Sequence, residues 1–83
     1  MNHLAALGRR LREARRRRFP DDDMQAFALR IGVARSTLQK MEQGDPGVAL
    51  GRYYAAAEVL GLASGFEALF VMEASLFDDD GTL

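Results

Sequence analysis

Cysteine and tryptophan are absent from this sequence of 83 residues, and His3 is its single histidine. Without thiols the chain can form neither a disulfide nor a thiolate-ligated metal site, and it has no Cys–His pair for nucleophilic catalysis. A chain of this size also has little room for an enclosed catalytic site. We therefore expect no enzyme, no cofactor and no metal ion.

Long apolar runs are absent as well. No stretch approaches the roughly 20 apolar residues that span a bilayer, and no basic and then apolar segment opens the chain as in a secretory signal peptide. These features predict a protein of the cytoplasm that does not associate with a membrane.

Charge is nearly balanced over the whole chain, at −1, but the two signs are segregated. Residues 1–44 carry ten lysines and arginines against five acids, and residues 45–83 carry one arginine against seven acids. The two halves therefore have net charges of +5 and −6. Such asymmetry is typical of a protein with one end that binds a polyanion, and a dipole that serves only solubility is the alternative.

Apolar residues recur at spacings of three and four, which predicts an all-α protein. Five helices are expected, at residues 3–17, 22–31, 34–43 and 49–60, followed by a short fifth helix capped by Ser64. Residues 21–23, all aspartates, would cap the second helix. The fourth would carry Leu50, Tyr53, Tyr54, Ala57 and Leu60. Residues 69–77 fit either a helix extension or a short strand. We treat residues 1–83 as one domain, with a core at about 4–70 and a C-terminal segment at 71–83.

The second and third predicted helices have the sequence signature of a helix-turn-helix. Ala28 is small enough for a close helix crossing, Gly32 can adopt positive φ at the turn, and Val33 and Leu38 can seat one helix on the other. The exposed face of the third helix would then present four side chains that donate hydrogen bonds to base edges in a major groove. These side chains are Arg35, Ser36, Gln39 and Lys40.

Three stretches, LGRRLREARRRR, AFALRIGVARSTLQKMEQG and VALGRYYAAAEVLGL, resemble the Cro/phage-repressor helix-turn-helix family, also called the xenobiotic-response-element family. The similarity covers residues 7–69. It implies a five-helix, lambda-repressor-like domain that binds double-stranded DNA as a homodimer, without a cofactor. We therefore expect a transcriptional regulator, most simply a repressor that occupies an inverted-repeat operator.

The resemblance also implies roles for individual residues. Base contacts fall to the four side chains of the third helix, and an ion pair between Arg15 and Glu42 ties that helix to the first. The resemblance further implies phosphate contacts around the starts of the second and fourth helices. Independently of the resemblance, the basic run that ends the first helix could neutralise phosphates or could equally be a solvated helix end. The predicted phosphate-binding residues are Arg17, Arg18, Gln25, Thr37, Gln43 and Arg52.

Several positions depart from the family pattern. Met24 stands where a phosphate-binding Gln is usual, and Ala34 and Ala49 stand where the family has Ser caps. A missing cap typically costs about 1 kcal/mol. These departures leave open a helix-turn-helix protein that has lost DNA binding.

Apolar residues continue past the fifth helix and predict a dimer interface, formed by a tail helix or a short strand. The alternative is that they cover the core of their own chain. These residues are Phe66, Leu69, Phe70, Met72, Leu76 and Phe77.

The phrase GDPGVALGRYYAAAEVLGL is also similar to a subgroup of these repressors that act as antitoxins. This similarity, with the apolar and acidic segment at residues 66–80, gives an alternative function. The chain would bind and neutralise a toxin and would repress its own operon.

Overall fold

The computed structural model describes residues 2–72 of the chain, and in this part it contains α-helices and no strand. The five helices, in chain order, are α1 (Ala5–Arg18), α2 (Met24–Ile31), α3 (Arg35–Glu42), α4 (Leu50–Val59) and α5 (Ser64–Glu67). Each boundary predicted for the first four lies within two residues of the observed one. The all-α, five-helix prediction is confirmed. None of these helices is long and apolar enough to cross a membrane.

The core lies between α2, α3 and α4. Its fully or almost fully buried members are Phe27, Ala28, Ile31, Leu38, Met41, Tyr53, Ala56 and Leu60. From α1, Leu7, Leu11 and Ala14 pack against this cluster and stay partly exposed. Because the core residues of each helix recur at three- and four-residue intervals, each helix turns one face inward and leaves its polar face outside.

The start of α2 was predicted only in part. Asp23 is the N-cap, and its Oδ1 accepts a hydrogen bond of 2.8 Å from the N–H of Ala26. Asp22, which we expected inside the helix, lies before it and forms an ion pair with Arg30. The guanidinium of Arg30 also lies over the ring of Phe19, 4.2 Å from its centroid. One arginine therefore ties the loop between α1 and α2 to the last turn of α2.

One prediction for the C-terminal half is wrong, and one apolar position of α4 is not part of the core. Leu50 is 62% exposed, because it is the first residue of α4 and the buried face of that helix begins a turn later, at Tyr53. Ser64 does not cap α5: it is the first helical residue, Ala63 precedes it, and no side chain caps the helix.

The apolar side chains of α5 and of the residues after it differ in exposure. Phe66 packs against the core and meets Tyr54 edge to face at 5.6 Å between ring centroids, so it covers its own chain. In contrast, Leu69, Val71 and Met72 are exposed, and Phe70 is 97% exposed with a φ of 66°. Residues 71 and 72 belong to no helix or strand. Most of the segment predicted as helix or strand, including Leu76 and Phe77, lies outside the described residues.

Candidate nucleic-acid interface

The turn between α2 and α3 is built as the sequence predicted. Gly32 ends α2 with a φ of +75°, a left-handed conformation that glycine adopts without steric cost. Its N–H donates to the carbonyl of Leu29 at 3.2 Å, and the N–H of Val33 donates to the carbonyl of Ala28 at 3.0 Å. This pair of bonds closes the end of α2 and sets the direction in which α3 leaves.

The face of α3 opposite the core is polar. Leu38 and Met41 are fully buried, whereas Arg35, Ser36, Gln39 and Lys40 are all exposed. None of these four side chains forms a hydrogen bond or an ion pair with any of residues 2–72. Their donor groups are therefore available to a ligand that approaches this face.

The last turn of α3 is fixed to α1 by a buried ion pair. Arg15 donates from Nε to Oε2 of Glu42 at 2.5 Å and from Nη2 to Oε1 at 3.1 Å. The two side chains are only 9% and 8% exposed. The structure thus contains the pair that the resemblance implied, and its two parallel bonds fix the orientation of α3 on α1.

Two glycines let α1 approach the end of α3, a contact that sequence reasoning assigned to neither of them. A Cβ placed on Gly8 would lie 2.5 Å from both the carbonyl oxygen of Glu42 and the backbone nitrogen of Gly44. Gly44 has a φ of +73°, and its own Cβ would collide with the carbonyl group of Leu4. The available signal was a glycine four residues after Leu4 and three before Leu11, inside the apolar stripe of α1.

Four of the predicted phosphate-binding residues lie on α2, α3 and α4 or at their ends. Gln25 and Arg52 are exposed in the first turns of α2 and α4, and Thr37 is half-buried in α3. Gln43 ends α3 with an exposed side chain, and its backbone carbonyl accepts a hydrogen bond from Nδ2 of Asn2.

Arg17 and Arg18 lie elsewhere. With Arg10 they line a depression that includes Leu62, and a Cβ on Gly61 would lie 3.4 Å from Nη1 of Arg18. Gly8 and Arg15 face α3 from a different side of α1. The structure therefore does not bring Arg17 and Arg18 together with the exposed face of α3.

The helix starts differ in charge. At α2, Asp23 already satisfies one N–H, and the hydrogen bond from Arg30 lowers the pKa of Asp22. Carboxylates at this end oppose the approach of a phosphate. Neither α3 nor α4 has a side-chain cap at Ala34 or Ala49. Their first N–H groups are therefore open to an anion.

The connection from α3 to α4 is also held in place. The hydroxyl of Tyr53 donates to the carbonyl of Asp45 at 2.8 Å, and Oδ1 of Asp45 accepts from the N–H of Gly47 at 2.7 Å. Burial, with a smaller effect of the charge on Asp45, raises the pKa of Tyr53. The two hydrogen bonds give the start of α4 a defined position beside α3.

Comparisons of this chain with known protein families, with curated proteins and with solved structures gave no significant match.

Proposed function

We propose that this chain is a sequence-specific DNA-binding protein that regulates transcription, with α3 as its recognition helix. The observation that carries the proposal is the row of four exposed donor side chains on α3, opposite the buried Leu38 and Met41. None of the four is bonded to another of residues 2–72. Bound as a homodimer to an inverted repeat in a promoter, it would act as a repressor by excluding polymerase. Such a regulator would be located in the cytoplasm, where it binds its operator DNA.

The residue types on this face suit base readout. An α-helix fits the major groove, where arginine and lysine recognise guanine, glutamine recognises adenine, and serine bonds to several bases. Arg35 and Ser36 lie in the first turn of α3, and Gln39 and Lys40 lie one turn further on. A recognition helix contacts bases with this N-terminal part.

The distribution of charge favours particular phosphate contacts. Arg52 is exposed in the first turn of α4, where no side chain caps the helix. A phosphate there would meet both a guanidinium and free N–H groups. The carboxylates of Asp22 and Asp23 make α2 a weaker candidate, so we assign Gln25 a smaller contribution.

The exposed apolar segment supports a dimer. Four consecutive apolar residues are exposed here, namely Leu69, Phe70, Val71 and Met72. Single exposed apolar residues are common on protein surfaces, whereas a contiguous apolar patch indicates an interaction surface. A second copy that covers them would remove apolar area from water. A two-fold dimer would also present two copies of α3, which must lie about 34 Å apart to read half-sites separated by one turn.

Selection of bound duplexes from a random pool, with the purified protein, tests this function. We expect enrichment of one inverted repeat, with half-sites separated by a whole number of helical turns. The doubly substituted variant Arg35→Ala/Gln39→Ala, which keeps the core of α3, serves as the matched control and should enrich no sequence. Equal recovery of all sequences by the unmodified protein, at low and at moderate salt, would contradict the proposal.

A second candidate function, an antitoxin that binds and neutralises a toxin, is favoured by the exposure of Phe70. The test is co-expression with the product of the neighbouring reading frame. If that product arrests growth, the chain should relieve the arrest. Phe70→Ser should lose the relief, and Arg35→Ala/Gln39→Ala, which leaves residues 69–72 unchanged, should keep it. A neighbouring product with no effect on growth would contradict this candidate.

A further inference from the structure

Helix α1 has one side that faces α3 and two outward sides that are rich in arginine. Residues in an α-helix that are three, four or seven apart share a side. Arg9, Arg12 and Arg16 lie on one side and are exposed. The other carries Arg10, Ala14, Arg17 and Arg18, and with Glu13 and Leu62 these residues line an open depression of about 290 Å³, here called the arginine groove.

The arginine groove combines an apolar floor with a cationic rim. Leu62, which is 47% exposed, and Ala14 form the floor. Three arginines and Glu13 leave the rim with a net charge of +2, and Glu13 is bound to Arg17 through an Nε–Oε2 contact of 3.1 Å. The depression is open and smaller than typical ligand cavities of about 300–1,000 Å³. These properties fit an extended acidic segment with one or two apolar side chains.

The chain itself has two such segments. In residues 19–23, a phenylalanine comes before three aspartates, but Phe19 packs against the core, Asp22 pairs with Arg30 and Asp23 caps α2. In the second, Leu76 and Phe77 come directly before three aspartates at positions 78–80. That segment lies outside the described residues and has the charge and the apolar content that the arginine groove would bind.

We propose that the arginine groove is the docking site of residues 73–83 of the same chain, with Leu76 and Phe77 on the floor and the aspartates of residues 78–80 against the rim. The segment follows Met72, which is ten residues after Leu62 of the floor. The four-residue α5 between them is only about 6 Å long, and Leu76, four residues after Met72, can lie up to about 14 Å from it. The segment can therefore turn back across α5 to the groove.

Attachment to the same chain favours this occupant over a second copy. A short tether gives an effective concentration on the order of millimolar, above the usual concentration of free protein. Exposed ion pairs are weak one by one, and the tether lets a few of them, with two apolar side chains, hold the segment. Leu76 and Phe77 are then assigned to the groove and not to the dimer interface that the sequence predicted.

The absence of cysteine provides a direct test on the full chain. A nitroxide attached at Thr82→Cys broadens the amide signals of residues that lie close to it in the NMR spectrum. We expect loss of the amide signals of Ala14, Arg17 and Leu62, while the signal of Gln39 in α3 is retained. Retention of the three groove signals, or loss of the Gln39 signal instead, would overturn the proposal.

Matched variants identify the contacts. We expect the groove signals to return in the triple variant Arg10→Gln/Arg17→Gln/Arg18→Gln. They should stay lost in the matched variant Arg9→Gln/Arg12→Gln/Arg16→Gln, which has the same change of charge on the other side of α1. The groove signals should also return in the tail variant Asp78→Asn/Asp79→Asn/Asp80→Asn, which leaves the arginine groove unchanged. The test therefore does not depend on how well the groove variant folds. Equal behaviour of the two arginine variants would overturn the proposal.

Two further outcomes would assign the arginine groove to another occupant. In a mixture of spin-labelled, unenriched protein and unlabelled, ¹⁵N-enriched protein, loss of the groove signals would identify a second copy. A groove variant that binds random duplex DNA more weakly than its matched control would assign these arginines to nucleic acid. Either result would overturn docking within the chain, and neither depends on α3 being a recognition helix.

Discussion

Arg15 of α1 and Glu42 of α3 form a buried, two-point ion pair at the end of α3 away from the turn. At its other end α3 is set by Gly32, and along its inner face by Leu38 and Met41. The helix is therefore fixed at both ends and along one side. Its four exposed donors have little freedom to change orientation.

Loss of the Arg15–Glu42 pair should be costly. Glu42→Ala leaves a buried guanidinium without a partner, so the free energy of unfolding should fall by about 3–5 kcal/mol in urea titrations. Glu13→Ala, which breaks the exposed pair with Arg17, is the control and should change it by no more than about 1 kcal/mol. Losses of equal size at the two sites would contradict the buried pair.

The close approach at Gly8 predicts opposite effects for two glycine substitutions. Gly8→Ala forces apart the backbones of α1 and the end of α3 and should lower the free energy of unfolding by about 1–3 kcal/mol. At Gly51 in α4, a Cβ would meet no atom within 4 Å. Gly51→Ala should therefore raise stability, by up to about 1 kcal/mol. Thermal unfolding of both variants checks this, and a stabilised Gly8→Ala would refute the contact.

The ion pair between Asp22 and Arg30 predicts a dependence of stability on pH. The hydrogen bond from Arg30 lowers the pKa of Asp22 in the folded protein below its usual value of about 3.9. The bond therefore contributes stability above that value, and the contribution is lost as the pH falls through the lowered pKa.

Asp22→Asn should accordingly be less stable than the unmodified protein at pH 7, and the difference should shrink below about pH 4. Urea titrations across this range measure it, with Asp21→Asn as the control, since Asp21 forms no ion pair with any of residues 2–72. A difference that stays constant down to the lowest pH would rule out the assigned role of Asp22.

Under the proposed function, Arg35→Ala should relax sequence preference. Loss of one bidentate contact to guanine should weaken binding to the selected sequence by about 1–3 kcal/mol, at one position in each half-site. Arg9→Ala removes the same charge from the outward surface of α1 and should leave the preferred sequence unchanged. Binding-site selection with both variants is the measurement. An unchanged preference in Arg35→Ala would remove this residue from the readout.

Arg52→Ala should behave differently, because a phosphate contact carries no sequence information. We expect weaker binding to all sequences alike and a reduction of the salt slope by about 1. Titrations at several salt concentrations, on the selected site and on an unrelated duplex, measure both effects. A changed base preference would show that Arg52 contacts a base.

The central part of the fold could be predicted because its determinants are local. Ala28, Gly32, Val33 and Leu38 lie within eleven residues, and each has a requirement that its residue type reveals. The resemblance supplied the pair of Arg15 and Glu42, which spacing alone would not have identified.

The parts that could not be predicted depend on how distant segments cross. Gly8 has its role only because α1 meets the end of α3, and Asp22 pairs with Arg30 because the loop before α2 lies beside the last turn of that helix. Leu50 follows the apolar pattern of α4 but extends past the edge of the core. Periodicity identifies the face of a helix and does not reveal where its neighbours end.

The glycine-to-glycine junction at Gly8 and Gly44 has an evolutionary consequence. Two side chains in contact can be exchanged together, a larger one compensating for a smaller one, but a contact between two backbones leaves no atom to remove. Descendants of this chain could therefore replace most of the exposed arginines of α1 and even change what α3 recognises. Residues 8 and 44 should remain glycine for as long as α1 and α3 meet in this way.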